Sequence, residues 1–326
     1  MKKTGNTLES ILPQIRKDLG ERSIVSLGDE ADLTVPRLST GVVALDAAMS
    51  GGLPLGRMVE IFGPEAAGKT SVAMMTAAQA QKLGNVVLID AENAFDPAMA
   101  EKSGVDMSSL YIAQPGSLEE TMDLLESLVK ADDVSCIIVD SVAALVPRAE
   151  LEGDYGDAHV ALVARLLSAG LRKLNKQMQM SDSSAVLIWI NQLREKMNVM
   201  GYGPSTTTPG GRALKHVCST RIDVKRTGQV KQGDAIIGHS VKATVVKARS
   251  SPPGKIAEWE IHYETGVSNE GTVLDLAVRH GIVIKAGAWY SDAETGEKLG
   301  QGRMAVCERL REDADLLSEL SAKVLT

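Results

Sequence analysis

The eight residues GPEAAGKT, Gly63 to Thr70, constrain this chain more than any other feature. They match G-x-x-x-x-G-K-[ST] and stand between an apolar run, MVEIF, and a helical stretch, TSVAMMTAAQAQKLG. A phosphate needs backbone N–H groups pointing into a concave loop. Glycines let the chain curl that closely, and a helix N-terminus behind the loop adds a favourable dipole. The candidate nucleotide-binding positions are therefore Gly63, Pro64, Glu65, Ala66, Ala67, Gly68, Lys69, Thr70 and Ser71. Lys69 would reach the β- and γ-phosphates, and the Thr70 hydroxyl would hold Mg²⁺.

From about Val42 to Tyr263 short apolar runs alternate with longer helical segments. MVEIF, NVVLID, LYIA, CIIVD and AVLIWI suit strands buried on both faces of a parallel sheet. The segments between them read as helices, one opened by a capping box of Ser117 and Glu120. This predicts an α/β fold with helices covering a mostly parallel, twisted sheet. Aromatic residues are only 3% against 44% hydrophobic, so the core must be built from Ala, Val, Leu, Ile and Met. After Arg212 the texture changes: TRIDVKR, SVKATVVKARS and AEWEIHY alternate faces as antiparallel strands do. From about Gly266 a helix mixes with Gly-rich turns and an acidic, helical end.

A second acid is needed near the metal. CIIVD puts Asp140 at the end of a buried strand, where a carboxylate supports Mg²⁺ beside a phosphate loop. Hydrolysis also needs a group that orients the attacking water. VVLIDAENAFDP offers Asp90, Glu92 and Asp96. Glu92 lies just beyond the strand's C-terminal end, where sites in open α/β sheets are built, yet physics alone does not choose among the three.

The formal charge of −7 argues against a generally basic nucleic-acid binder but leaves room for a local basic track. Cys136, Cys218 and Cys307 are far apart and form no CxxC pair, so they read as buried thiols in a reducing compartment. No apolar stretch follows MKK, and no run is long enough to span a bilayer, which points to a cytoplasmic protein without a membrane partner. In the first thirty residues, Leu8, Ile11, Leu12, Ile15 and Leu19 share one helical face; Pro13 should kink or split that helix, Gly20 closes it, and SIVSL reads as a strand. Between two well-patterned elements lies VMGYGPSTTTPGGR, Val199 to Arg212, which has no periodicity; insertions of this length are functional or disordered.

STGVVALDAAMSGGLPLGRMVEIFGPEAAGKT, IDAENAFDP, VDSVAALVP, EGDYGD, INQLREK, GGRALK and GAWYSDAETGEKLGQG follow one another as in the bacterial RecA recombinases. The chain resembles that family over nearly its whole length. The resemblance implies a subunit-docking helix and strand at 1–32 and a RecA-type P-loop NTPase core at 33–265. It also implies a small α+β, duplex-DNA-binding domain at 266–326 with a short acidic end. Two DNA-binding loops would lie at about 152–160 and 193–212. The implied activity is ATP-dependent recombination on head-to-tail helical filaments that coat single-stranded DNA. These pair it with homologous double-stranded DNA and hydrolyse ATP, with Mg²⁺, when DNA is bound. A LexA-like repressor of the SOS response would be a further partner.

By the same resemblance Glu92 activates water, Asp96 lies near the adenine, and Gln192 senses the γ-phosphate. Lys247 and Arg249 reach the nucleotide of the neighbouring subunit, where cations supplied across an interface stabilise transition-state charge only after assembly. The DNA contacts implied are Arg165, Ser168, Arg172, Arg194, Met197, Val199, Gly210, Gly211 and Arg212, with Lys285, Lys298 and Arg303 for the duplex. Phosphate contacts and apolar wedges do not read sequence, as a general recombinase requires. The chain departs from the family pattern at several points. Met99 replaces a tyrosine that stacks on adenine, Pro209 is an insertion, His216 replaces a phenylalanine, and Arg249 replaces a lysine. Two other readings are a regulatory filament scaffold with weak strand exchange and a ring-forming RecA-fold ATPase.

Overall fold

The apolar runs become the parallel half of one sheet. In the computed structural model, which describes residues 7–20, 24, 35–154, 160–181, 183–195, 206–207 and 209–325, they form β1 (Met58–Gly63), β2 (Asn85–Asp90), β3 (Leu110–Ala113), β4 (Val134–Asp140) and β5 (Val186–Gln192). The alternating segments form β6 (Thr220–Gln232), β7 (Ala235–Ala248), β8 (Ile256–His262) and β9 (Gly266–Ser268). The sheet order is β9-β8-β7-β6-β1-β5-β4-β2-β3. Every pairing from β6 through β3 is parallel, and those from β6 through β9 are antiparallel. The fold class is thus as predicted, α/β and mostly parallel.

One run departs from expectation. LYIA forms the edge strand β3, with Tyr111 and Ile112 exposed rather than buried on both faces. Four apolar residues do not state their rank in a sheet, and the last strand has a neighbour on one side only.

Residues 1–35 and 36–326 form two compact units. In the first, helix α1 (Leu8–Leu19) runs unbroken through Pro13 and ends at Gly20, which has φ 96°. The predicted split does not occur, and SIVSL lies outside the described residues except for Ile24.

In the second unit α2 (Lys69–Ala80) packs Val72, Ala73, Met74 and Ala77 on one face of the sheet. On the other face lie α3 (Leu118–Leu128) and α4 (Val160–Met180). In α4 the buried positions Leu167, Leu171, Leu174 and Met178 recur at helical spacing, each buried leucine contributing about 1.5–3 kcal/mol. The capping box is half formed. Glu120 N–H donates to Ser117 Oγ at 3.2 Å, but the Glu120 carboxylate accepts from Gly116 N–H instead of the cap residue. A short helix, α5 (Ala213–Val217), precedes β6.

The C-terminal residues build a third core, which also takes in Val43. Helices α6 (Glu270–Arg279), α7 (Arg303–Glu312) and α8 (Ala314–Leu325) pack with an antiparallel sheet of β10 (Val283–Ala286), β11 (Trp289–Asp292) and β12 (Lys298–Gln301) around Val273, Leu274, Tyr290, Val306 and Leu320. No helix among the described residues is long and apolar enough to cross a membrane.

Candidate active site and nucleic-acid interface

Parallel register brings the strand ends together. Gly63 at the end of β1 lies opposite Gln192 at the end of β5, and Leu193 N–H donates to Gly63 O at 3.2 Å. On the neighbouring strands Asp90 lies opposite Asp140. A crevice outside the carboxyl ends of parallel strands is where such sheets bind ligands.

The phosphate loop turns through left-handed backbone at Ala66 (φ 54°) and Gly68 (φ 93°). Gly63 is required for a different reason than curling: a Cβ there would stand 2.0 Å from the Val224 carbonyl of β6. Lys69 is nearly buried and folds back, Nζ donating to Pro64 O at 2.6 Å. Burial pulls its pKa down, against the charges of Asp140, Glu92 and Glu65. Thr70 Oγ1 donates to Asp140 Oδ2 at 2.9 Å. Burial pushes the Asp140 carboxyl up to about 6, with Glu92 and Asp90 adding to it and the Thr70 bond and Lys69 opposing.

This donor set fits magnesium with a nucleotide. Among the described residues no three His, Cys, Asp or Glu side chains gather as a metal cage. A hydroxyl and one carboxylate beside a phosphate cradle are what Mg²⁺ uses, since it keeps phosphate and water oxygens as its other ligands. Beside them a cavity of about 110 Å³ is lined by Thr70, Met74, Phe95, Asp96 and Met99. Ser71 Oγ approaches Met99 Sδ at 4.0 Å. A thioether there offers a polarisable apolar face.

Geometry separates the three acids that the residues alone left open. The Asp90 carboxylate is buried and accepts from Ala94 N–H, Phe95 N–H and Gln114 Nε2. Asp96 caps the helix Pro97–Lys102 by accepting from Ala98 and Met99 N–H. Glu92 remains at the surface, and its Oε1 accepts from Gln192 Nε2 at 3.2 Å and closely from Ser141 Oγ. Ser141 was not legible as a partner, because nothing in VDSV distinguishes it from a turn residue.

Lys247, half-buried, and Arg249, exposed, both turn to the end of α5. Lys247 Nζ donates to the carbonyls of Lys215 (2.7 Å) and His216 (3.0 Å), and Arg249 Nη2 to that of His216 (3.2 Å). They satisfy the last carbonyls of α5, where cations are favoured. Burial and the Arg249 charge hold the Lys247 pKa down.

The end of the second loop region lies against α4. Arg165 and Arg172 are exposed one above the other, with Ser168 between them donating to Ala164 O at 2.6 Å. Gly210 (φ 82°) and Gly211 (φ 71°) lie over the same helix. A Cβ on Gly210 would stand 2.5 Å from Leu167 Cδ2, and one on Gly211 3.9 Å from Ala164 Cβ. Arg212 is exposed at the start of α5. The stem of the second loop is a two-residue ladder, Arg194 opposite Thr207 and Glu195 opposite Thr206. Met197, Val199 and most of the first loop lie outside the described residues, as does the Arg194 side chain. In the C-terminal domain Lys298 Nζ lies 5.1 Å from the Trp289 ring centre and Lys285 Nζ 5.5 Å from that of Tyr290. Arg303 engages Asp275 at 3.1 Å.

Comparison with known families decides the identity. The family model described as RecA N-terminal domain matches residues 6–268, and that for the RecA C-terminal domain matches residues 271–326. The chain belongs to the RecA family. Its similarity to the curated Protein RecA of Rhodopirellula baltica is 48% identity, over 98% of this chain and 84% of that one. For Protein RecA of Clostridium novyi it is 47%, over 97% and 90%. For that of Chlorobaculum parvum it is 48%, over 97% and 91%. RecA membership carries a function in DNA recombination and repair, with the ATP, Mg²⁺ and DNA binding general to the family.

Proposed function

We propose that this chain is an ATP- and single-stranded-DNA-dependent recombinase that assembles head to tail and exchanges strands with homologous duplex. The observation that carries the reading is the contact of Gln192 with Glu92, because Gln192 ends β5 and the chain runs directly from it into the 193–212 segment. Whatever shifts that segment is transmitted to the carboxylate.

Lys69 would exchange the Pro64 carbonyl for phosphate oxygen, and Thr70 and Asp140 would hold Mg²⁺. Magnesium, when bound, neutralises phosphate charge. Glu92 orients the attacking water and takes its proton, while Gln192 sets the direction of the Glu92 carboxylate. Lys247 and Arg249 leave the end of α5 to serve the nucleotide of the adjacent subunit, so turnover waits on assembly. Arg165, Ser168, Arg172, Arg194, Gly210, Gly211 and Arg212 hold single-strand phosphates, with Met197 and Val199 beside the bases. Lys285, Lys298 and Arg303 collect duplex through the domain at 266–326. The same filament would promote self-cleavage of a LexA-like repressor.

The test is ATP hydrolysis with and without single-stranded DNA, alongside Glu92→Gln. DNA should stimulate turnover strongly, and the variant should lose about 10²–10⁴-fold while still binding ATP. Electron microscopy should find filaments on DNA. Closed rings without DNA, or unstimulated turnover, would overturn the reading.

A further inference from the structure

Asn191 stands one residue before Gln192, its side chain wholly buried. Its Nδ2 donates to Glu60 Oε1 at 3.0 Å and to the Pro209 carbonyl at 3.1 Å. Its Oδ1 accepts the Gln192 backbone N–H at 3.0 Å, which fixes which way round the amide lies. Glu60, also wholly buried in the middle of β1, pairs with Arg221 Nε at 2.5 Å. That guanidinium lies 4.4 Å over the ring of Phe62, immediately before the phosphate loop.

One planar amide therefore joins the backbone of Gln192, the carbonyl of Pro209 near the far end of the 193–212 segment, and the charged pair beneath the phosphate loop. We infer that Asn191 is a positioning residue that makes the setting of this segment felt at Gln192. The inference rests on the recombinase reading above. The physical argument is rigidity. The donor and acceptor ends of an amide cannot move independently, so a shift of Pro209 turns the group that holds the Gln192 N–H. Burial makes each of these bonds costly to leave unmade. An apolar residue of the same size has no such linkage, and an aspartate has it only in part. Asp keeps the oxygen that faces Gln192 but turns a second oxygen on the Glu60 carboxylate and the Pro209 carbonyl.

Two variants of the full chain separate this role from plain core satisfaction: Asn191→Asp, and Asn191→Asp combined with Glu60→Gln. The double variant restores a donor facing position 191 from position 60 but leaves the Pro209 carbonyl opposite an oxygen. Three properties are measured: ATP turnover with and without saturating single-stranded DNA, melting temperature, and protease cleavage within residues 193–208 with and without a non-hydrolysable ATP analogue. In Asn191→Asp the stimulation by DNA should fall about tenfold while KM for ATP moves less than about twofold. The analogue should no longer change cleavage of the segment. In the double variant the melting temperature should rise part-way toward the parent, since Glu60→Gln leaves Arg221 a neutral acceptor in place of the carboxylate, and the stimulation should not recover. Recovery of both together, or a parallel fall of turnover with and without DNA, would overturn the inference. If the wild-type chain shows no stimulation, the recombinase reading fails, and cleavage decides alone. A nucleotide effect on the segment that Asn191→Asp abolishes keeps the positioning role, and an unchanged effect ends it.

Discussion

At the carboxyl edge of the parallel strands, charges of both signs are crowded and withdrawn from water: Lys69, Asp90 and Asp140 converge at the site, and Glu60 with Arg221 lies just beneath. On the small C-terminal sheet the cations stand apart and exposed, Lys298 over Trp289 and Lys285 over Tyr290. In the first region each charge has a protein partner, and Glu60 and Arg221 are each other's, so neither can be removed without stranding the other. In the second the cations have ring faces and water around them, so they are free to meet a polyanion. The same residue types are thus tied into the packed structure in one place and stand open to solvent in the other.

The largest effect should separate the regions by stability. Glu60→Ala leaves Arg221 and the Asn191 amide buried without their acceptor, and should cost about 3–5 kcal/mol in urea or thermal unfolding. Lys298→Ala should stay within about 0.5 kcal/mol of the parent. Equal losses would break the comparison. A smaller effect belongs to the C-terminal sheet. Lys285→Ala with Lys298→Ala should weaken duplex-DNA binding and lower the slope of log affinity against log salt by about 0.9 for each phosphate that a lysine no longer neutralises. The melting temperature should be unchanged. An unaltered slope would take these lysines out of the DNA path.

The smallest effect sharpens a third contrast, between paired and unpaired buried groups. His239 on β7 is buried beside the Tyr263 ring, 5.9 Å away, with no hydrogen-bond partner among the described residues on either ring nitrogen. Burial first, and then Arg226, hold its pKa below the usual 6.5. The unfolded chain therefore takes up a proton that the folded one refuses. The stability this group contributes is complete above about pH 6.5 and is lost as pH falls through the lowered value. His239→Phe should make the decline of melting temperature between pH 7 and 5 shallower, and an unchanged slope would place the acid sensitivity elsewhere.

Much of the fold was legible because its signals are local. Strand runs, Gly20 and the phosphate loop each act within a few residues, through burial, backbone freedom or hydrogen bonding. Two further signals take their meaning only from the packed sheet. Glu60 interrupts MVEIF with a charge where a buried strand should have none, and Asn191 follows AVLIWI with a polar amide in the same way. Either marks a place where another element must supply a partner.

The sequence by itself determined the α/β class, the strands that meet at the phosphate loop, the helix faces and the family, since each depends on residue pattern and backbone propensity. Only the tertiary structure decided which of Asp90, Glu92 and Asp96 is left without a structural partner in its own loop and turned toward Gln192. The same holds for LYIA at the sheet edge, for Gly63 being forced by the Val224 carbonyl, and for Lys247 and Arg249 closing α5. Those facts depend on register and on contacts between residues far apart in the chain, and neither period nor composition carries that information.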